Sequence, residues 1–254
     1  MFLPRIIPVL LLKGKGLVKT VKFKEPRYLG DPINAVKIFN DLKADELIFL
    51  DITASKEGRT ISVNLVKDIG DEAFMPFGVG GGISDVTQIE QLFKVGAEKV
   101  VINTNSFINP DLIKHASNIF GSQSIVVSLD VKKNLFGKYE CWIKDGSVNS
   151  KAKPLDFARK MEDLGAGELI INSIDCDGLM TGYDLGIIRN IADSVAIPVV
   201  ACGGAGDLNH LKSAYFDGKA HALAAGSMFV YHGPRKAVLI NYPSKSELIN
   251  LFNN

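Results

Sequence analysis

Apolar residues fall in short unbroken runs at 6–12, 47–51, 74–79, 99–103, 124–131, 168–173, 198–202 and 222–225. The runs are continuous rather than alternating, which is the pattern of strands covered on both faces. Between them, stretches such as 32–42, 62–71, 86–95, 154–164, 185–193 and 208–216 carry apolar residues at helical spacing. Pro32 after Asp31 and Pro110 after Asn109 mark helix starts. Eight strand signals alternating with helices predict an α/β fold, a single (β/α)8 barrel spanning residues 1–254.

The chain also repeats itself. The third run leads into Gly80-Gly81-Gly82-Ile83-Ser84-Asp85, and the seventh into Gly203-Gly204-Ala205-Gly206-Asp207. Pro76, Gly81, Gly82 and Asp85 each find the same residue 122 positions later, at Pro198, Gly203, Gly204 and Asp207. The offset also relates Ala44, Glu46, Leu47 and Ile48 to Ala166, Glu168, Leu169 and Ile170, Gly96 to Gly218, and Phe107 to Phe229. With a slightly different offset, Leu10 and Leu12 fall on Leu129 and Val131. Two half-barrels of approximately 1–122 and 123–254 follow from this.

Glycine lets backbone N–H groups approach an anion with no Cβ in the way. A helix starting near Ser84 is expected to turn its positive end to the same spot. A tight strand-to-helix corner uses the same residues, but its recurrence predicts two phosphate cradles related by a pseudo-twofold axis.

Composition narrows the function. The chain is 46% hydrophobic and 22% charged with a net charge of +1, which gives no reason to expect nucleic acid or an acidic membrane. No apolar run approaches the roughly 20 residues of a bilayer span. Met1-Phe2-Leu3-Pro4-Arg5 leads into a strand without the layout of a signal peptide. Cys141, Cys176 and Cys202 are unpaired at metal spacing, so they read as reduced thiols of a cytosolic protein, with no zinc site and no cofactor expected.

Two connections are long, 13–31 after the first strand and 132–153 after the fifth, and both fall at strand C-termini, where barrels keep their chemistry. The first carries Lys13, Lys15, Lys19, Lys22 and Lys24, with Gly14 and Gly16 to keep it mobile. It reads either as a solvated loop or as a cationic lid over a phosphorylated substrate. The second, with Tyr139, Trp142 and Gly146, predicts a small hairpin. Strand C-termini also hold Asp51, Asn103, Thr104, Asp130, Ser173, Asp175 and Asp177. Asp130 follows a very apolar strand, so desolvation should raise its pKa toward the range of an acid–base group, unless it serves as a cap. Asp175 and Asp177 sit in a polar loop that either holds ligand hydroxyls or braces itself.

Several stretches together resemble one family: Arg5-Ile6-Ile7-Pro8, Phe49-Leu50-Asp51-Ile52-Thr53-Ala54, Val79-Gly80-Gly81-Gly82-Ile83, Ile102-Asn103-Thr104, Phe120-Gly121-Ser122-Gln123, Ser173-Ile174-Asp175-Cys176-Asp177-Gly178 with Gly182-Tyr183-Asp184, and Gly203-Gly204-Ala205-Gly206. In register over nearly the whole chain, they resemble the cyclase subunit of imidazole glycerol phosphate synthase, from histidine biosynthesis. The resemblance implies a glutaminase partner on the N-terminal barrel face and ammonia crossing the barrel interior. At the C-terminal face the ammonia would meet a ribulosyl bis-phosphate, giving imidazole glycerol phosphate and an aminoimidazole carboxamide ribotide. It places one phosphate near Gly81, Gly82, Asn103 and Thr104 and the other near Gly203, Gly204, Gly226 and Ser227, with Lys19 and Asp177 also facing the ligand. It implies a floor ring of Arg5, Glu46, Lys99 and Glu168 as an ammonia gate, which reads equally as a stabilising salt-bridge cluster.

The resemblance departs at one position. The family uses two acid–base aspartates, at the ends of strands 1 and 5; the second is Asp130, but the first position is Leu11. Asn172 also stands where a smaller hydroxyl residue is usual. Loss of one carboxylate with retention of the floor charges favours a paralogue diverted to ammonia supply for a surface-polysaccharide sugar, with a sugar amidotransferase as a further partner. The alternative is a working cyclase that tolerates Leu11. A sister isomerase of the same pathway also needs an aspartate at the strand-1 position, which counts against it.

Overall fold

The computed structural model describes residues 3–253; Met1, Phe2 and Asn254 lie outside the described residues. Eight parallel strands close into a barrel: β1 (Arg5–Lys13), β2 (Leu47–Asp51), β3 (Phe77–Gly80), β4 (Lys99–Ile102), β5 (Ile125–Lys133), β6 (Glu168–Ser173), β7 (Val199–Cys202) and β8 (Ala222–Ala225). Each pairs with the next, and β8 returns to β1 with Ile6 opposite Leu223.

Alternation along the strands sorts the side chains into two cores. Outward residues such as Ile6, Leu10, Leu12, Phe49 and Leu129 pack under the helices. Inward residues Ile7, Val9, Ile48, Val101, Val126, Ile170 and Val200 fill the barrel. Burial on both faces is why the strands are continuous apolar runs in the sequence.

The helices start on side-chain caps. Asp31 accepts from Asn34 N ahead of the Pro32–Asp41 helix, and Ser62 from Leu65 N ahead of Val63–Glu72. Asp85 and Asp207 cap Val86–Lys94 and Leu208–Phe216 in the same way, from similar extended conformations. A C-terminal helix, Lys245–Phe252, follows a capping box of Ser244 and Glu247 that the sequence reading passed over.

Two expectations need correction and one is met. The apolar run at 74–79 starts too early: β3 begins at Phe77, and Phe74 is exposed. The helix expected near Ser84 is present as Val86–Lys94, with Asp85 as its N-cap. The Asp85 carboxylate takes the Gln88 N–H.

The 13–31 connection is not a mobile loop. It is a hairpin of Gly16–Val21 and Lys24–Gly30 that continues the sheet from the end of β1. Lys22 and Phe23 form its two-residue tip, both at positive φ, and Asp177 holds that tip. The 132–153 connection is the expected hairpin, with Tyr139–Ile143 paired to the extended end of β5 and to Val148–Asn149.

Candidate active site

The inward faces of the strands continue upward into a cavity at their C-terminal ends, about 1060 Å³ counted to its open mouth. Its lining brings together Lys19, Gly81, Gly82, Asn103, Thr104, Asp130, Asp177, Gly203, Gly204, Gly226 and Ser227, as well as Leu11. The floor residues Arg5, Glu46, Lys99 and Glu168 lie apart, at the opposite ends of the same strands.

The two glycine turns need glycine for steric reasons. Gly82, at φ 66°, would place a Cβ 1.8 Å from the Arg59 carbonyl oxygen. Gly204, at φ 115°, would place one 2.0 Å from the Gly182 carbonyl oxygen.

The turns differ in what surrounds them. Beside Gly81 and Gly82 the polar side chains are satisfied. Asn103 donates to the Ser128 carbonyl at 2.9 Å, and Thr104 Oγ1 accepts from Lys144 N at 3.0 Å. Beside Gly203 and Gly204 they are not. The Ser227 hydroxyl is buried without a partner. The Lys19 side chain is buried and reaches Gly226, where a Cβ would fall 1.8 Å from its Nζ. Among the described residues no carboxylate lies within ion-pair distance of Lys19. A buried cation without a counter-charge is costly, so an anion placed at this end of the cavity would offset that cost.

The mouth acids separate by their partners. Asp51 is bound by Arg59 at 2.6 Å and accepts from Thr53 and Ala54 N–H groups. Asp145 pairs with Lys56 at 2.9 Å, Asp175 accepts from Lys133 N, and Asp177 accepts from Thr20 and the Phe23 N–H. Asp51 and Asp175, candidates from the sequence, are thus taken up in bracing the loops.

Asp130 has neutral partners alone: Ser128 Oγ at 3.5 Å and Asn172 Nδ2 at 3.3 Å. Burial pushes its carboxyl up to about 7, against the Asn172 hydrogen bond and with the help of Asp145 and Asp177. Burial also pushes the Cys202 thiol at the end of β7 up to about 12, so it stays protonated.

At the floor, Glu46 and Glu168 are each shared between the same two cations. Arg5 reaches both carboxylates, and Lys99 lies 2.9 Å from Glu46 and 3.1 Å from Glu168. Between this ring and the cavity the inward layer is hydrocarbon, Ile7, Val9, Ile48, Val101, Val126 and Ile170.

Sequence reasoning missed Arg59, Lys56, Asp145 and Phe23. Their contacts cross between loops and leave no spacing signal. Ser128 could have been found, since it lies two residues before Asp130 on one strand face. Among the described residues, no cluster of His, Cys, Asp or Glu could hold a metal, and no helix is long and apolar enough to cross a membrane.

Residues 5–234 match the family described as histidine biosynthesis protein. A Pseudomonas aeruginosa protein provisionally named imidazole glycerol phosphate synthase subunit hisF2 is 46% identical over 244 residues, 96% of this chain and 97% of its own. A Vibrio vulnificus protein provisionally named subunit hisF3 is 48% identical over 244 residues, 96% and 94% of the two chains. Imidazole glycerol phosphate synthase subunit HisF of Alkaliphilus metalliredigens is 42% identical over 232 residues, covering 91% of this chain and 92% of its own.

Proposed function

The chain belongs to the histidine biosynthesis protein family, and from that premise we propose that it is the ammonia-receiving barrel of a glutamine amidotransferase complex, diverted from ordinary cyclisation. A glutaminase docks on the N-terminal face, and ammonia passes the ring of Arg5, Glu46, Lys99 and Glu168. It crosses the hydrocarbon layer to a phosphorylated ligand held at the mouth. Phe74, Ile119 and Leu42, exposed on helix ends and loops at the N-terminal side, support a partner there.

At the mouth, Lys19, Ser227 and the Gly203–Gly204 turn hold one phosphate. Gly81, Gly82, Asn103 and Thr104 hold the other, chiefly through backbone. Asp130 handles the proton. With a pKa of about 7 it is close to half-ionised at neutral pH, so it can take a proton from attacking ammonia and return one to a leaving hydroxyl.

The observation that carries the diversion is Leu11. It lines the same cavity where the family has its second acid–base carboxylate, and a hydrocarbon moves no proton. One positioned acid–base group contributes about 10²–10⁴-fold. With capture at the mouth slowed in this way, the ammonia goes onward unreacted, in this reading to a sugar amidotransferase of surface-polysaccharide synthesis. The second reading, a working cyclase of histidine biosynthesis, is favoured by Asp130 itself, since a carboxyl near neutrality can serve as both acid and base.

Both readings require the glutaminase. The test is co-purification and stimulation of glutaminase turnover by this chain. Stimulation at micromolar concentration is expected, and no binding there would remove both readings.

A further inference from the structure

The cavity's acid is not held symmetrically. Both hydrogen bonds to Asp130 fall on Oδ1, from Ser128 Oγ at 3.5 Å and from Asn172 Nδ2 at 3.3 Å. Oδ2 takes no hydrogen bond from the described residues, and it faces the cavity that Asp130 lines. Asn172 is opposite Asp130 in the β5–β6 register and opposite Cys202 in the β6–β7 register, so its side chain points inward between the acid and the second glycine turn.

The other end of the Asn172 amide is wedged. Its Oδ1 is shut off from solvent with no partner, and it packs so close to Gly203 that a Cβ there would fall 2.6 Å away. A buried acceptor without a partner costs free energy. That cost is tolerated where the amide's placement serves something else, and the group its other end serves is Asp130.

The geometry points to Asn172 as a positioning residue that anchors Asp130 Oδ1 and so leaves Oδ2 as the one oxygen that exchanges protons with the bound ligand. It acts through Asp130 and does not itself touch the reacting atoms. The amide lies between Asp130 and Gly203, so at any moment one carboxyl oxygen takes its hydrogen bond and the other is left for the ligand; a half-turn of the carboxyl exchanges two equivalent oxygens and restores the same arrangement. The single carboxyl so keeps one oxygen free and one held through both halves of a proton cycle. The inference rests on Asp130 being the proton-handling group of the function proposed above.

The test follows the Asp130 carboxyl carbon by NMR titration in the full chain labelled with ¹³C-aspartate, the signal being assigned by its loss in Asp130→Asn. Removing a donor from the ionised form disfavours that form. A hydrogen bond to a charged group corresponds to a midpoint shift of about one to two pH units. Asn172→Leu is expected to move the midpoint upward by about that much. Asn172→Ser, which keeps a hydroxyl donor and adds no apolar bulk, is expected to fall between Asn172→Leu and wild type.

Inorganic phosphate binding, unchanged in both variants, shows that the fold and the second glycine turn are intact. An Asp130 midpoint that is the same in wild type and both variants overturns the inference. No turnover is needed, so the outcome is separable from the function proposed: a glutaminase that ignores the chain sinks that function, and an unmoved midpoint sinks the role of Asn172.

Discussion

Leu11 and Asp130 turn into one cavity from β1 and β5, so a hydrocarbon shares the barrel mouth with the one described acid of its lining held by neither a cation nor a backbone N–H. The other described acids of that lining are taken up. Asp51 is tied to Arg59, Asp145 to Lys56, and Asp177 to the tip of the first hairpin. The lining thus sets Asp130, its least constrained carboxyl, beside two glycine turns.

That carboxyl should leave its mark on stability. Its folded-state pKa, about 7, is raised from an ordinary 3.8. The folded state therefore holds the proton more tightly than the unfolded one. The stabilisation is fully present below pH about 4 and is lost as pH rises through about 7. The span corresponds to at most about 4 kcal/mol. Asp130→Asn, uncharged throughout, should match wild type near pH 4 and be more stable by a few kcal/mol at pH 8. Urea unfolding at the two pH values measures this, and a difference that does not change with pH would count against the raised pKa.

Lys19 gives a binding prediction. Its ammonium is buried at Gly226 without a carboxylate partner among the described residues. Lys19→Met should fold and weaken binding of inorganic phosphate or a sugar bis-phosphate by about tenfold or more, as expected for loss of one desolvated charge-assisted contact. Lys24→Met, on the exposed part of the same hairpin, should change little. Calorimetry at fixed salt reads both, and equal losses would assign the lysines to general steering instead.

The floor ring predicts a stability effect that salt barely touches. Glu46 is almost wholly buried and holds both Arg5 and Lys99. Glu46→Ala leaves two partly buried cations around Glu168 and should cost about 3–5 kcal/mol, the range for breaking a buried pair. Lys219→Ala, which removes an exposed partner of Asp193, should fall within about 1 kcal/mol of wild type. Denaturant midpoints at low and high salt separate the two. A Glu46→Ala cost that vanishes in high salt would mean that the ring is solvated.

How much of this could be read in the sequence depends on what each residue answers to. The barrel strands answer to burial on both faces, and runs such as Val126, Val127 and Leu129 carry that in composition. Phe74 shows the limit: it extends an apolar run, yet it is exposed on a loop ahead of β3. The first hairpin is hidden because its lysines read equally as a solvated loop or a cationic lid, whereas Lys19 lines the cavity and Lys13 and Lys15 are exposed. Its tip needs positive φ at Lys22 and Phe23, positions with no glycine or asparagine to announce a turn. Asp177 supplies the reason, by holding that tip through space.

At the site, the glycine turns and Asp130 were legible because strand, turn and helix leave a local pattern. The partners that sort the acids were not. Arg59 on Asp51 and Lys56 on Asp145 are contacts between loops, and only a fold brings them together.

The most direct test of the diversion is ammonia-dependent consumption of the ribulosyl bis-phosphate by the isolated chain, measured beside Leu11→Asp. Restoring a carboxyl opposite Asp130 should raise the rate by about 10²–10⁴-fold if the cradles and Asp130 are intact and the second acid is what was given up. A wild type that turns over at a rate close to its Leu11→Asp variant would contradict the diversion and make this chain a working cyclase.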